Sequence, residues 1–159
     1  DTVRIYLRNS SPPYLIADSS KALIDPVTFR GSFPVTNAAN GNYFIQTRHR
    51  NSIETWSSSS VSYLQGSTVN YDLTSAASSA FGNNLRNINS APVRYAVYSG
   101  DADQDGNVNL NDLITINNDA SQFRTGYLNS DINGDDFADI TDLIITFNNS
   151  WKFVSVIRP

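Results

Sequence analysis

The stretch that decides the fold is Asp101-Ala102-Asp103-Gln104-Asp105-Gly106-Asn107-Val108-Asn109-Leu110-Asn111-Asp112. It returns thirty residues later as Asp131-Ile132-Asn133-Gly134-Asp135-Asp136-Phe137-Ala138-Asp139-Ile140-Thr141-Asp142. Each window places oxygen-bearing side chains at positions 1, 3, 5, 9 and 12, the spacing by which a twelve-residue loop wraps one calcium ion. Calcium is a hard cation that takes six to eight oxygens at roughly 2.3–2.6 Å. A single short loop supplies them only if alternate side chains turn inward. The expected ligands of the first loop are Asp101, Asp103, Asp105, the carbonyl of Asn107, Asn109 and Asp112. Those of the second are Asp131, Asn133, Asp135, the carbonyl of Phe137, Asp139 and Asp142. Two calcium ions are therefore expected.

Position 6 of such a loop needs a positive φ, which Gly106 takes without steric cost. The second loop carries Asp136 there, at a cost of about 1–2 kcal/mol, and is expected to be the more strained. Position 12 is Asp in both loops, a shorter arm than Glu, so the following helix must come closer or bind through one oxygen.

The loops belong to a longer internal repeat. Asp101 matches Asp131, Asp112 matches Asp142, Leu113-Ile114 matches Leu143-Ile144, and Phe123 matches Phe153. After the second loop, Ile140, Leu143, Ile144, Phe147 and Trp151 fall on one helical face. Leu110, Leu113 and Ile114 begin the same pattern after the first. Two such faces are expected to pack on each other around a small shared core. No helix precedes the first loop, since Val93 to Val97 alternate like a strand and Tyr98-Ser99-Gly100 leads straight into Asp101.

This loop-then-helix arrangement, repeated without entering helices, resembles the dockerin module of bacterial extracellular proteins over about residues 99–154. The resemblance implies docking onto a cohesin-like receptor through the helices. At loop positions 10 and 11, where the best-known dockerins carry their partner-reading residues, this chain has Leu110-Asn111 and Ile140-Thr141.

The chain has 159 residues, enough for one large or two small domains. Only 16% are charged, and polarity comes mainly from Asn, Ser and Thr. That composition favours strands and turns over long helices. The net charge of −4 is concentrated in the loops, and two bound divalent ions would cancel it. The basic residues are scattered without a stripe, so nucleic acid is not an expected partner. No apolar run approaches the ~20 residues of a membrane span. Cysteine and methionine are both absent. The expectation is a mature secreted chain, its signal peptide removed, at the cell surface or outside it. There calcium and packing replace disulfides.

Residues 1–98 read as short strands punctuated by turns. Val3, Ile5 and Leu7 alternate with Arg4, Tyr6 and Arg8. Ser11-Pro12-Pro13 ends that run. Further strand candidates are Tyr14 to Ala17, Lys21 to Ile24, Val27 to Val35, Tyr43 to Arg48, Ile53 to Trp56, Val61 to Leu64, Val69 to Leu73 and Val93 to Val97. Ser75 to Asn84 reads as a short helix or a loop. The spacing suits an antiparallel sandwich. Asn40-Gly41-Asn42 followed by Tyr43 to Arg50 resembles the Gly-x-Tyr strand of transthyretin-like or carboxypeptidase-regulatory-like β-sandwiches. That resemblance implies a scaffold or adhesion domain with no catalytic residues.

The expected architecture is a mostly β chain with a small α part. An antiparallel sandwich over 1–98 is fused to a dockerin-like pair of calcium loop–helix repeats over 99–154, with an extended tail over 155–159. His49, the sole histidine, lies between arginines and lacks ligand partners. Glu54, the sole glutamate, lacks a second free acid for glycosidase chemistry. Trp56 and Trp151 read as core. Lys21 and Lys152 lack a neighbouring acid that would mark an isopeptide bond. Thr2, Asn9 and Asn148 lie in glycosylation-like patterns.

No enzyme is expected. The function read from these residues is a calcium-stabilised structural protein whose copies assemble into a fibre or surface layer through strand-like termini. The alternative is a docking module for a cohesin-like receptor, with the sandwich as spacer or glycan binder.

Overall fold

The computed structural model describes all 159 residues and shows a small, mostly β chain with antiparallel sheets and two helices. Seven strands come first: β1 Thr2–Asn9, β2 Ile16–Leu23, β3 Gly41–His49, β4 Ser52–Trp56, β5 Val61–Tyr63, β6 Arg86–Ser90 and β7 Val93–Ala96. The helices α1 Leu110–Ser121 and α2 Ile140–Ser150 follow. No helix is long and apolar enough to cross a membrane.

The chain divides into two compact units. The first comprises Asp1–His49, Glu54–Ala96 and Ile157–Pro159. The second comprises Arg50–Ile53 and Val97–Val156. The units therefore exchange short segments of chain, and no single boundary near residue 98 separates them. The C-terminal segment is itself divided, with Val156 in one unit and Ile157 in the other.

The five-stranded sheet runs β2-β1-β3-β4, with β5 added to β3. β1 pairs antiparallel with β2, Thr2 opposite Leu23, and on its other edge with β3, Arg4 opposite Arg48. The N-terminal strand is thus central, with both edges occupied. A core of Leu7, Ala38, Tyr43 and Tyr63 packs against it.

β2 is one continuous strand where the sequence suggests two. Asp18, Ser19 and Ser20 resemble loop residues, but Ser19 and Ser20 pair with Tyr6 and Ile5. Asp18 points inward and its Oδ2 accepts the backbone amides of Thr36, Asn37 and Ala38 at 2.9, 2.7 and 3.1 Å. Val27 to Val35 is not a strand. Asp25 Oδ1 accepts from the amides of Val27 and Thr28, and Phe29 adopts φ 56°, so the segment turns. Val69 to Leu73 is not a strand either, and Ser75 to Asn84 contains two single 3₁₀ turns. β7 finds its partner in Arg86–Ser90, a polar run that carries no strand pattern.

In the second unit both helices start on a reciprocal cap. Asn109 and Asp139 each accept from the residue two ahead, while Asp112 and Asp142 accept from the cap residues' amides. A core of Ile53, Val108 and Val154, flanked by Tyr98, lies at the base of the first loop. The helix faces do not close over each other as expected. Leu110, Ile114, Ile140, Ile144 (52%) and Phe147 (53%) stay exposed, and with Leu113 and Leu143 they line an open groove. The fully buried helix positions are instead Asp112 and Ile116 in α1 and Asp142, Thr146 and Asn149 in α2. Trp56 is buried, but Trp151 is 76% exposed, stacked on Phe147 at 6.3 Å. Reading Trp151 as core fails because its side of α2 faces away from the packed side.

Candidate metal centre

Each loop is built around its last aspartate. Asp112 Oδ1 accepts the amides of Ala102 (2.7 Å) and Asp103 (3.2 Å), and its Oδ2 accepts that of Asn109 (2.8 Å). Asp142 repeats this, with Ile132 (2.7 Å) and Asn133 (3.0 Å) on Oδ1 and Asp139 (2.9 Å) on Oδ2. The position-12 carboxylate thereby ties the start of its loop to the first turn of its helix. Both are wholly buried.

Position 7 of each loop is held by a segment from elsewhere in the repeat. Asn107 bridges Ser155, and Phe137 bridges Thr125. The flanking bonds match: Val108 donates to the Val154 carbonyl and Ala138 to that of Arg124, while Val156 donates to Gly106 and Gly126 to Asp136. The thirty-residue shift that relates the loops also relates their clamps. Each loop is therefore fastened by the segment that follows the other repeat's helix. Ser155 and Val156, expected in an extended tail, are used here.

Both loops also require two left-handed residues, at positions 4 and 6. The first loop uses Gln104 (φ 60°) and Gly106 (φ 89°), the second Gly134 (φ 81°) and Asp136 (φ 70°). Each has one glycine, in opposite places. Gln104 offsets its strain with a 2.6 Å bond from Nε2 to the carbonyl of Asp101.

The acidic side chains differ more than the backbones. In the first loop one carboxylate oxygen each from Asp101, Asp103 and Asp105 lie within 4.8 Å of one another, a group that could hold a metal ion. Asp101 is 2% exposed. Its Oδ2 accepts from the Gly106 amide at 3.2 Å, and its Oδ1 is buried with no hydrogen-bond donor. A buried carboxylate oxygen without a donor is costly unless a cation meets it. The same environment pushes the Asp101 carboxyl up to about 7, through burial first and then repulsion from Asp112 and the other loop acids. Asp112 is raised as well, chiefly by burial. Of the other expected ligands, Asn107 donates to Asp105 Oδ1 through its amide, and Asn109 donates to Asp105 Oδ2 at 3.4 Å.

The acids of the second loop find more donors. Asp131 Oδ1 accepts the amides of Gly134 (2.8 Å) and Asp135 (3.1 Å), and Oδ2 that of Asp136 (3.3 Å). Asn133 donates to Asp135 Oδ2 and to Thr141 Oγ1. Asp139 accepts the side chain and amide of Thr141, which hold it below the usual carboxylate range. The structure brings Asp131, Asn133, Asp135, Phe137, Asp139 and Asp142 into one loop but gathers no comparable three-carboxylate group there.

No family model matches the sequence, and neither a curated protein nor a solved structure shows significant similarity to it. What the centre can do rests on its own chemistry. Oxygen donors alone, all hard and several anionic, suit a hard divalent cation over the softer metals that prefer thiolate or imidazole.

The remaining candidates have structural partners. His49 Nε2 lies 2.7 Å from Asp1 Oδ2. Glu54 is buried and accepts from Trp56 Nε1 (2.6 Å) and Arg158 Nε (2.8 Å), with Arg48 3.4 Å away. Burial works to raise its carboxyl, but Arg158 and Trp56 hold it below the ordinary value. Ser57, in the serine run, accepts the Ile45 amide and donates to the Ser59 carbonyl.

Proposed function

We propose that the protein is a non-enzymatic, extracellular, calcium-binding structural protein. In this reading the second unit is a dockerin-like loop–helix pair that takes two calcium ions, and the first is a transthyretin-like sandwich serving as scaffold. The observation that carries it is the buried, donorless Oδ1 of Asp101 beside the carboxylates of Asp103 and Asp105. Calcium there would neutralise crowded acids and complete the oxygen shell from Asp101, Asp103, Asp105, Asn107 and Asn109. Asp112 contributes by holding the loop against α1.

Copies of the chain are proposed to associate into a fibre or surface layer. The cancelled charge favours close approach. β1 is already paired on both sides, so strand addition at the N-terminal end would use β2, whose outer edge ends the sheet. A second reading, docking to a cohesin-like receptor, draws on the exposed apolar groove between α1 and α2.

Titration calorimetry on chelator-stripped protein tests the ion. Two binding events and a rise in melting temperature are expected, and no calcium heat with no shift would end the proposal. Electron microscopy in calcium separates the assembly readings, since regular filaments support the first and a monodisperse monomer removes it.

A further inference from the structure

Arg50, between β3 and β4, lies outside both loops, yet its Nη2 is 3.2 Å from Oδ2 of Asp131. Its guanidinium sits 4.5 Å from the centre of the Tyr127 ring. The Arg50 side chain is 9% exposed and that of Asp131 1%. The neighbouring Asn51 donates from Nδ2 to the carbonyl of Asp131 at 2.6 Å. Two adjacent residues thus fasten the first ligand position of the second loop. At the matching place in the first loop, the carbonyl of Asp101 is met by Gln104 from within the loop, and its carboxylate has a single amide donor.

We infer that Arg50 is a resident cation of the second loop that competes with calcium for Asp131, so that the two loops fill in order, the first at lower calcium. This rests on the calcium reading above and names the residue that makes the sites unequal. A guanidinium in contact with a ligand carboxylate opposes an incoming divalent ion through charge repulsion, and it also occupies an oxygen the ion would share. Two backbone amides already hold the other oxygen of Asp131. An ion entering the first loop meets no such competitor at Asp101, and relieves the repulsion among its acids. The strain at Asp136 acts in the same direction, but Arg50 supplies the charge.

The test is a calcium titration of the ¹⁵N-labelled, chelator-stripped full chain, following the amide signals of Gly106 and Gly134, one glycine per loop. In the wild type the Gly106 signal is expected to reach its midpoint at about tenfold lower calcium than that of Gly134. In Arg50→Gln the Gly134 midpoint should move several-fold lower while that of Gly106 stays put. Arg50→Lys, which keeps the charge, should leave the gap within about twofold of the wild type. Simultaneous filling, or Gly134 first, in the wild type overturns the inference even if Arg50→Gln does not fold. An unmoved or higher Gly134 midpoint in Arg50→Gln also overturns it. If neither glycine responds to calcium in any variant, the calcium reading itself has failed.

Discussion

Asp101 and Asp131 occupy the same place in two copies of one motif, with matching caps and clamps, and their surroundings are opposite. Asp101 keeps a buried oxygen with no donor, and burial, with the neighbouring acids, pushes its carboxyl up to about 7. Asp131 has three backbone amides and a guanidinium. The spacing of a loop places its ligands, but it does not set the charge they carry. That charge depends on what the rest of the fold presses against the loop. One loop is left with carboxylates that could hold a metal ion, and the other meets a guanidinium from a distant turn.

Calcium removal should produce the largest effect. At calcium a hundred to a thousand times the dissociation constant, each filled site stabilises the fold by about 3–4 kcal/mol. Chelation should therefore lower the melting temperature steeply, with Val97–Val156 losing hydrogen-exchange protection first. Scanning calorimetry with and without chelator checks this, and superimposable traces would remove the metal from the account of stability.

Next in size come two substitutions that should act in opposite directions without calcium. Asp131→Asn removes the carboxylate that Arg50 Nη2 meets, so apo stability should fall by about 1–3 kcal/mol. Asp101→Asn removes a crowded charge, so apo stability at pH 8 should rise by about 1–2 kcal/mol. Each should also cost about one bound ion. Denaturant unfolding in chelator reads the signs, and equal destabilisation by both would erase the difference between the loops.

The pH dependence sharpens the same contrast. The folded state holds a proton on Asp101 that the unfolded state has lost, between about pH 4 and 7. In chelator this group's contribution to stability is therefore greatest at the acid end and declines as pH rises through that window. Calcium should remove the decline and release a proton on binding near neutral pH, measurable by calorimetry in buffers of different ionisation enthalpy. Asp18 and Glu54, in the first unit, run the other way. Burial works against their ionised forms. The amides of Asn37, Ser19 and Ala38 for Asp18, and Arg158 and Trp56 for Glu54, outweigh it and lower both. Their contribution is present above the unfolded values and is lost as pH falls below about 4.

The smallest effect tests the backbone. Asp136→Gly gives the second loop glycine at both left-handed positions and should stabilise it by about 1 kcal/mol or less, the relief of strain offset by unfolded-state entropy. A loss of stability would show that the Asp136 side chain does something the loop needs.

The parts legible in the sequence were those governed by local chemistry. The alternation of Val3, Ile5 and Leu7 and the run from Tyr43 to Arg48 mark real strands. The need for positive φ at position 6 is met by Gly106 and Asp136. Illegible were elements whose partners decide them. Arg86 to Ser90 forms a strand because Val93–Ala96 lies beside it. Val27 to Val35 has strand-forming residues but turns on the carboxylate of Asp25. The left-handed position 4 was also missed, although Gln104 opposite Gly134 hinted that one backbone shape was being reached by two residues.

By itself the sequence determined where the oxygens stand along each loop, where each helix begins and how many repeats there are. These follow from side-chain geometry over a dozen residues, which no distant contact needs to supply. Tertiary structure alone decided that the tail clamps the first loop, that the apolar helix faces stay open and that Arg50 meets Asp131. Those outcomes depend on which segments share a space, and burial makes an ionic contact across eighty residues as strong as one between neighbours.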